Sequence, residues 1–220
     1  MKEINENIAV NAIFSDDGKH RYALTYTWKA ENPKKLSILM ISPGSSPNIS
    51  EPIALGLTET LCLNNTSRFG VSENNASCLG TYGGVNIVNL FSKMPEDYVQ
   101  ATRNGFKGAT NEENDEVIMK LIEGTDIVFA FGSIIGTNKV AYLRALELVK
   151  KIEEKYPDRL YCLHDGIRKF LHPLDIYTRN EFRLLPVKNV ADYIREHSKF
   201  GKAEEKVPEK SKSTAGKKKK

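Results

Sequence analysis

The sequence predicts an α/β protein with three layers, αβα, in which helices cover both faces of a mostly parallel central sheet. Two observations support this prediction. Short and almost uniformly apolar runs recur along the chain, as expected of strands that are buried on both faces of a parallel sheet. Segments with the apolar spacing of helices separate these runs, so strands and helices alternate, which implies right-handed crossovers.

The first third of the chain begins with a predicted N-terminal β-hairpin. Residues 8–14 are short and apolar, the turn sequence Ser15-Asp16-Asp17-Gly18 follows, and residues 21–28 are aromatic and β-branched. Residues 36–41 form the first buried run. This run ends abruptly at Ser42-Pro43-Gly44-Ser45, a sequence that no strand or helix continues through and that therefore indicates a loop.

Strands and helices then alternate up to residue 197. Further strands are predicted at 85–91, 126–131, 161–163 and 182–187, and helices at 52–64, 111–123, 138–156 and 190–197. The stretch 64–80 is rich in Asn and Ser and is predicted to be irregular. The chain length favours one domain, which we place at residues 1–198. Residues 199–220 show no apolar face and are predicted to form a disordered, lysine-rich tail.

The charge of the chain is concentrated at its C-terminal end. The chain has 220 residues, of which 40% are hydrophobic and 27% charged, with a formal net charge of +4. Much of this excess lies in the tail, at Lys210, Lys212 and Lys217 to Lys220. The folded part is therefore close to neutral, which argues against a general basic surface for nucleic acid but leaves room for a local patch.

Cysteine usage and hydropathy indicate a cytoplasmic protein. Cys62, Cys78 and Cys162 are odd in number and form no CxxC pair, so we expect free thiols in a reducing compartment and no metal site. No apolar run reaches membrane-spanning length, so no membrane partner is expected. Residues 1–6 are polar and contain acids, unlike a signal peptide. No cofactor motif is present.

Candidate site residues follow the predicted strands, because open α/β sheets bind ligands at the carboxyl ends of their strands. An Asn at a strand end can donate and accept together, which suits a base or amide edge, and an imidazole can donate to a developing anion. A Pro-Gly loop presents backbone N–H groups and hydroxyls. The candidate catalytic residues are His172 and Asn89, and the candidate substrate-binding residues are Ser42, Pro43, Gly44, Ser45, Phe91, Gly132, Ser133 and Pro173.

Each candidate also has a purely structural interpretation. The Ser42 loop can be an ordinary turn, Asn89 and His172 can bond nearby backbone, and Gly132-Ser133 can cap a helix. His164-Asp165 can be an acid/base pair, although the following glycine favours a turn. No Walker or GxGxxG motif follows Gly132, so no phosphate-binding motif supports the interpretation as a nucleotide hydrolase or transferase.

Several motifs, taken in order, resemble the bacterial and phage family catalogued as domain of unknown function 1643. The resemblance covers nearly the whole chain before the tail. Its most specific parts are the Asn-Leu-Phe and His-Pro-Leu elements. The motifs are Phe14-Ser15, Arg21-Tyr22-Ala23-Leu24, Trp28, Ser42-Pro43-Gly44-Ser45, Gly83-Gly84, Val88-Asn89-Leu90-Phe91, Asn114, Phe131-Gly132 and His172-Pro173-Leu174.

A weaker likeness is to the uracil-DNA glycosylase superfamily. It implies that residues 42–45 lie beside the base and the attacking water, that Asn89 reads the base and that His172 stabilises the leaving base. Such a pocket would bind or process a nucleobase, a nucleotide or a nucleic acid. Charge for the phosphates would come from Lys93, Arg103, Lys107, Arg168 and Lys169. Because the first loop offers no carboxylate to orient water, the alternative is a non-catalytic binding or accessory protein of phage or mobile-element type.

Overall fold

The computed structural model describes residues 8–29, 31–43, 56–74, 76–78, 80–94, 106 and 109–204. Within these residues nine strands form one sheet. The strands are β1 (Ala9–Phe14), β2 (Arg21–Thr27), β3 (Lys35–Met40), β4 (Val71–Glu73), β5 (Ala76–Ser77), β6 (Gly84–Asn89), β7 (Asp126–Phe129), β8 (Leu160–Leu163) and β9 (Phe182–Pro186). The helices are α1 (Leu57–Asn64), which continues into a π-helical turn at Asn65–Phe69, α2 (Glu112–Leu121), α3 (Ile134–Thr137), α4 (Lys139–Lys155), α5 (Val190–His197) and α6 (Gly201–Glu204).

The sheet is mixed, with the spatial order β1-β2-β6-β3-β7-β8-β9-β4-β5. The four central strands β6, β3, β7 and β8 run parallel to one another, and so do β9 and β4. The pairs β1-β2, β2-β6, β8-β9 and β4-β5 are antiparallel. The prediction of a mostly parallel sheet is therefore not confirmed, because four of the eight strand pairings among the described residues are antiparallel. An apolar run reports burial on both faces and does not report the direction of the neighbouring strand.

Helices cover both faces of the sheet and create two apolar cores. Side chains alternate along each strand, so Leu36, Ile38 and Met40 of β3 face one core while Leu39 faces the other. The first core includes Cys62 of α1, and we call this side of the sheet the α1 face. The second core is built with residues of α2, α4 and α5, and we call this side the α2 face.

A buried polar network fastens the C-terminal end of α2 to the sheet. The Asn86 amide on β6 donates to the Ser37 hydroxyl on β3 at 3.1 Å and to the Leu121 carbonyl at 3.0 Å. The Thr125 hydroxyl donates to Ser37 at 2.8 Å, and the Thr25 hydroxyl donates to the Asn86 oxygen at 3.0 Å. The network explains polar residues at core positions of three strands, since each of these groups has a partner.

Several predicted elements are present. The N-terminal hairpin is confirmed, and α5 has the predicted bounds. The stretch 64–80, predicted to be irregular, contains β4 and β5. The described chain continues past residue 198 into α6, and the Phe200 ring packs against Tyr142 at 5.6 Å between centroids. Residues 205–220 lie outside the described residues, and none of the described helices combines the length and apolar character that crossing a membrane requires.

Candidate functional site

Three predicted site residues lie at one edge of the sheet, the carboxyl ends of β6, β3 and β7. Met40, the last residue of β3, pairs with Asn89, the last residue of β6. The other side of β3 pairs in parallel with β7. Asn89 therefore ends β6, and Ser42 and Gly132 follow β3 and β7 at the same edge, with Ser42 in the middle.

The loop that contains His172 packs directly on the end of β7. The Gly132 N–H donates to the Phe170 carbonyl at 2.8 Å, and a Cβ at Gly132 would lie 3.2 Å from the Cβ of His172. Phe170 has a left-handed φ of 58°, which is strained for an aromatic residue. Its ring packs against Tyr193 with 4.6 Å between centroids, and this contact helps to hold the strained turn. The fold thereby brings His172 to the edge that Asn89 and Ser42 occupy.

The surroundings of His172 define which ring nitrogen is protonated. Nδ1 accepts a hydrogen bond from the Leu174 N–H at 3.2 Å, so the proton of the neutral ring lies on Nε2. Burial lowers the pKa of His172, which favours the neutral ring at neutral pH. The Thr178 hydroxyl donates to the His172 carbonyl at 2.8 Å and holds the loop closed. His172 is thus a neutral imidazole with a donor at Nε2.

Asn89 has a buried side chain with an unused acceptor. It is 1% exposed, and its Oδ1 has no hydrogen-bond partner in the part of the chain that the structure describes. Its backbone is held from the α2 face, where the Asn114 amide donates to the Asn89 carbonyl at 3.0 Å and the Arg144 Nε donates to the Leu90 carbonyl at 3.0 Å. Unpaired buried polar atoms are rare and destabilise a fold by about 1–3 kcal/mol.

The remaining predicted residues lie in different surroundings. Ser42 is half-buried and Pro43 is buried, whereas Gly44 and Ser45 lie outside the described residues. Pro173 is buried, and its carbonyl accepts from the Thr178 hydroxyl at 3.2 Å. Ser133 is exposed at the start of α3. Phe91 lies in the core of the α2 face, stacked on Phe106 at 4.4 Å between centroids, and is separated by the sheet from the α1 face.

Residues 164–168 form a tight turn. The Asp165 carboxylate accepts from the N–H groups of Ile167 at 2.9 Å and Arg168 at 2.7 Å, and these bonds lower the pKa of Asp165 to about 2. The His164 Nδ1 accepts from the Gly166 N–H at 3.0 Å. Both side chains therefore serve the turn, as the following glycine predicts.

The positive charges proposed for phosphate contacts are only partly available. Arg168 binds Asp165 at 2.8 Å and Asp175 at 3.1 Å, and it lies over the Tyr177 ring at 5.2 Å. Its charge is therefore balanced within its own loop. Lys93 and Lys169 are exposed, and Arg103 and Lys107 lie outside the described residues.

Sequence reasoning missed a β-bulge that redirects Arg21. The pairing of β1 with β2 skips Tyr22, which is an extra residue on β2. The Tyr22 hydroxyl donates to Glu113 of α2, and Ala23 lies in the core of the same face, so two successive residues point to the α2 face. Arg21 consequently points to the α1 face.

On the α1 face, Arg21 forms a buried ion pair with Glu59 of α1. The two side chains are 2% and 1% exposed. A Cβ at Gly56 would lie 2.5 Å from Glu59 Oε2, so the glycine leaves room for the carboxylate. Burial, and then the charge of Glu59, raises the pKa of the buried Tyr26 phenol. The same charge opposes the effect of burial on the pKa of His172, which places Glu59 in the electrostatic surroundings of the site.

The described residues offer no cluster of three or more His, Cys, Asp or Glu side chains that could hold a metal ion. Cys62, Cys78 and Cys162 are free, and burial raises the pKa of the Cys162 thiol to about 11. The site chemistry described above therefore consists of hydrogen bonds and one buried ion pair.

Comparison with known proteins identifies a family. The family described as "Protein of unknown function (DUF1643)" matches residues 21–174, well over half of the chain, and confirms the resemblance noted in the sequence. No curated protein and no solved structure gives a significant match. The likeness to the uracil-DNA glycosylase superfamily stays a prediction.

Proposed function

The chain belongs to the DUF1643 family, and we propose that it binds a nucleobase, as a nucleotide or within a nucleic acid strand, at the carboxyl edge of β6, β3 and β7. In this proposal Asn89 reads the edge of the base. His172 donates a hydrogen bond to a carbonyl or to a developing anion on it. Ser42 lies between them and contributes its hydroxyl.

The observation that carries the proposal is the unpartnered Oδ1 of Asn89. A buried amide oxygen without a donor destabilises the protein on its own, whereas a ligand N–H would satisfy it. Asn114 and Arg144 bond to the consecutive carbonyls of Asn89 and Leu90 from the α2 face, so the backbone that carries the amide is held in place. A preorganised acceptor of this kind suits the N–H of a planar base.

The second support is the protonation of His172. A neutral imidazole with its proton on Nε2 is a donor that carries no net charge, and such donors stabilise an anion that develops on a bound group. Asn89 ends β6 and Gly132 follows β7, and only β3 separates these two strands, so their backbones are about 10 Å apart. In this proposal a ring-sized ligand lies between the side chains of Asn89 and His172.

Exposed apolar residues in the His172 loop favour a strand of nucleic acid over a free base. Ile167 is 92% exposed, Ile176 72% and Tyr177 65%. Apolar and aromatic side chains stack on bases or wedge between them in protein–nucleic acid complexes. Since Arg168 is balanced by two aspartates, we expect contacts to bases to dominate over contacts to phosphates, with a weak dependence of affinity on salt.

A second candidate is a non-catalytic binding or accessory protein of phage or mobile-element type. The observation in its favour is that the carboxylate of Glu59 is already paired with Arg21. The described part of the first loop has no carboxylate that could take its place. A glycosylase needs a group that orients the attacking water. In the binding protein, Asn89 and His172 would hold a base without cleaving its bond to the sugar.

Binding and cleavage can be tested with single-stranded oligonucleotides that contain one uracil or one hypoxanthine. We expect the wild type to bind at least one of them, and Asn89→Ala and His172→Ala each to weaken binding by about tenfold or more, which corresponds to the loss of one hydrogen bond of about 1.4 kcal/mol. Asn11→Ala, at an exposed position of β1, is the matched control. Released base indicates processing, and bound but intact oligonucleotide indicates the non-catalytic candidate. Absence of binding, or an Asn89→Ala variant that binds as well as Asn11→Ala, would contradict the proposal.

A further inference from the structure

The helix that contains Glu59 packs on the loop that contains His172. Leu171 belongs to the same apolar core as Cys62 of α1 and Tyr26 of β2. The Asn65 amide, at the end of α1, donates to the Arg179 carbonyl at 3.1 Å and so ties the helix to the same loop. The helix of Glu59 is therefore tied to the loop of His172 through Cys62 and Asn65, which follow Glu59 in α1.

The charges around His172 form two ion-paired groups, and in one of them Arg168 binds Asp165 as well as Asp175. Glu59 of α1 is paired with Arg21 of β2. Asp175, in the same loop as His172, is paired with Arg168 at 3.1 Å. The end of β7, which packs against His172 through Gly132, contributes no charged side chain before α3.

We propose that the Arg21–Glu59 pair is a positioning element of the site, in which Arg21 offsets the buried negative charge of Glu59 so that His172 stays a neutral hydrogen-bond donor. This inference rests on the role given to His172 in the proposed function. The bulge at Tyr22 and the space at Gly56 both serve the pair, because the first turns Arg21 towards Glu59 and the second admits the carboxylate. Arg21 and Glu59 act through His172 and need not contact the ligand.

The pair predicts opposite effects for its two halves. In Glu59→Gln the guanidinium of Arg21 lacks its counter-charge, and a nearby cation disfavours the imidazolium, so the pKa of His172 falls. In Arg21→Met the carboxylate lacks its counter-charge, and a nearby anion favours the imidazolium, so the pKa rises. In the double variant both charges are absent and the pKa returns towards its wild-type value. A pair that exerts no electrostatic effect on His172 would not produce shifts of opposite sign.

The test is a pH titration of the full chain followed by NMR of 15N-labelled histidine. We expect the wild-type His172 to be neutral at pH 7 with its proton on Nε2, and the two single variants to move its titration in opposite directions. Asp126→Asn removes a carboxylate that is paired with Lys34 at 3.0 Å at the opposite edge of the sheet, and it should leave the His172 titration unchanged.

Three results would overturn the inference. They are a charged His172 in the wild type at pH 7, a shift of the same sign in both single variants, and an Arg21→Met/Glu59→Gln variant that titrates no closer to the wild type than the single variants do. The wild type and the double variant keep the test decisive if a single variant does not fold. Because no ligand is used, a protein that binds no base but shows the opposite shifts refutes the proposed function and leaves this inference standing.

Discussion

Replacing Gly132 with alanine perturbs the contact between β7 and His172. Gly132 has a φ of 68°, and an L-residue in this region is destabilised by about 1–2 kcal/mol. The new Cβ would also lie 3.2 Å from the Cβ of His172, so the loop has to move, and crowding in a packed site contributes about 1 kcal/mol or more. We therefore expect Gly132→Ala to lower the free energy of unfolding by about 2–3 kcal/mol and to displace the imidazole.

Gly124→Ala is the matched control. Gly124 has a similar φ of 75°, but a Cβ there would meet nothing within 4 Å, so only the backbone contribution remains. Urea unfolding of both variants measures the difference, and the histidine NMR signal reports any displacement of His172. Equal destabilisation of the two variants, with an unchanged His172 signal, would refute the proposed contact and with it the seating of His172 on the end of β7.

Three further changes give defined results. Asn89→Leu should raise the free energy of unfolding, measured in urea, by about 1 kcal/mol, because it removes a buried oxygen without a partner. The same variant should lose oligonucleotide binding. A clear decrease in stability would contradict the claim that this oxygen is unpaired. Arg21→Met and Glu59→Gln should each lower the free energy of unfolding by about 3–5 kcal/mol, because each leaves a buried charge without its counter-charge. The double variant should lose less than the sum of the two, and additive losses would exclude the pair. Burial lowers the pKa of His172 and of His164, so below their unfolded value of 6.5 the unfolded chain binds more protons. Stability should therefore fall as the pH drops from about 7 to 5, and His172→Asn should reduce this slope.

Local patterns in the sequence predicted most elements but not their directions. The turn at residues 15–18 and the apolar run of β3 have local causes, so both were predictable. The direction of β9 relative to β8 is set by the long loop between them, which no periodicity encodes. The strands β4 and β5 are three and two residues long, too short for an alternating pattern to appear. Their pairing depends on β9, which is distant in sequence.

The site residues at the strand ends were predictable from the sequence, whereas those that depend on tertiary contacts were not. Asn89 and His172 stood out because each is polar beside apolar residues at the end of a predicted strand or in a loop. Arg21 and Glu59 are 38 residues apart in sequence, and each reads as an ordinary charge on a strand or a helix. The sequence does show that Arg21 is a charged residue at the start of an otherwise aromatic and β-branched strand. Only the bulge determines which face of the sheet the Arg21 side chain points to.

The bulge at Tyr22 also affects which sequence changes this fold can accept. A substitution at Tyr22 removes a bond to α2 but leaves the extra residue in place, so Arg21 still points to the α1 face. Without the bulge, a β2 strand of the same length would alternate strictly from Ala23 onward and turn Arg21 to the α2 face, away from Glu59. Divergent members of the family should consequently vary more in the identity of this residue than in the presence of the bulge.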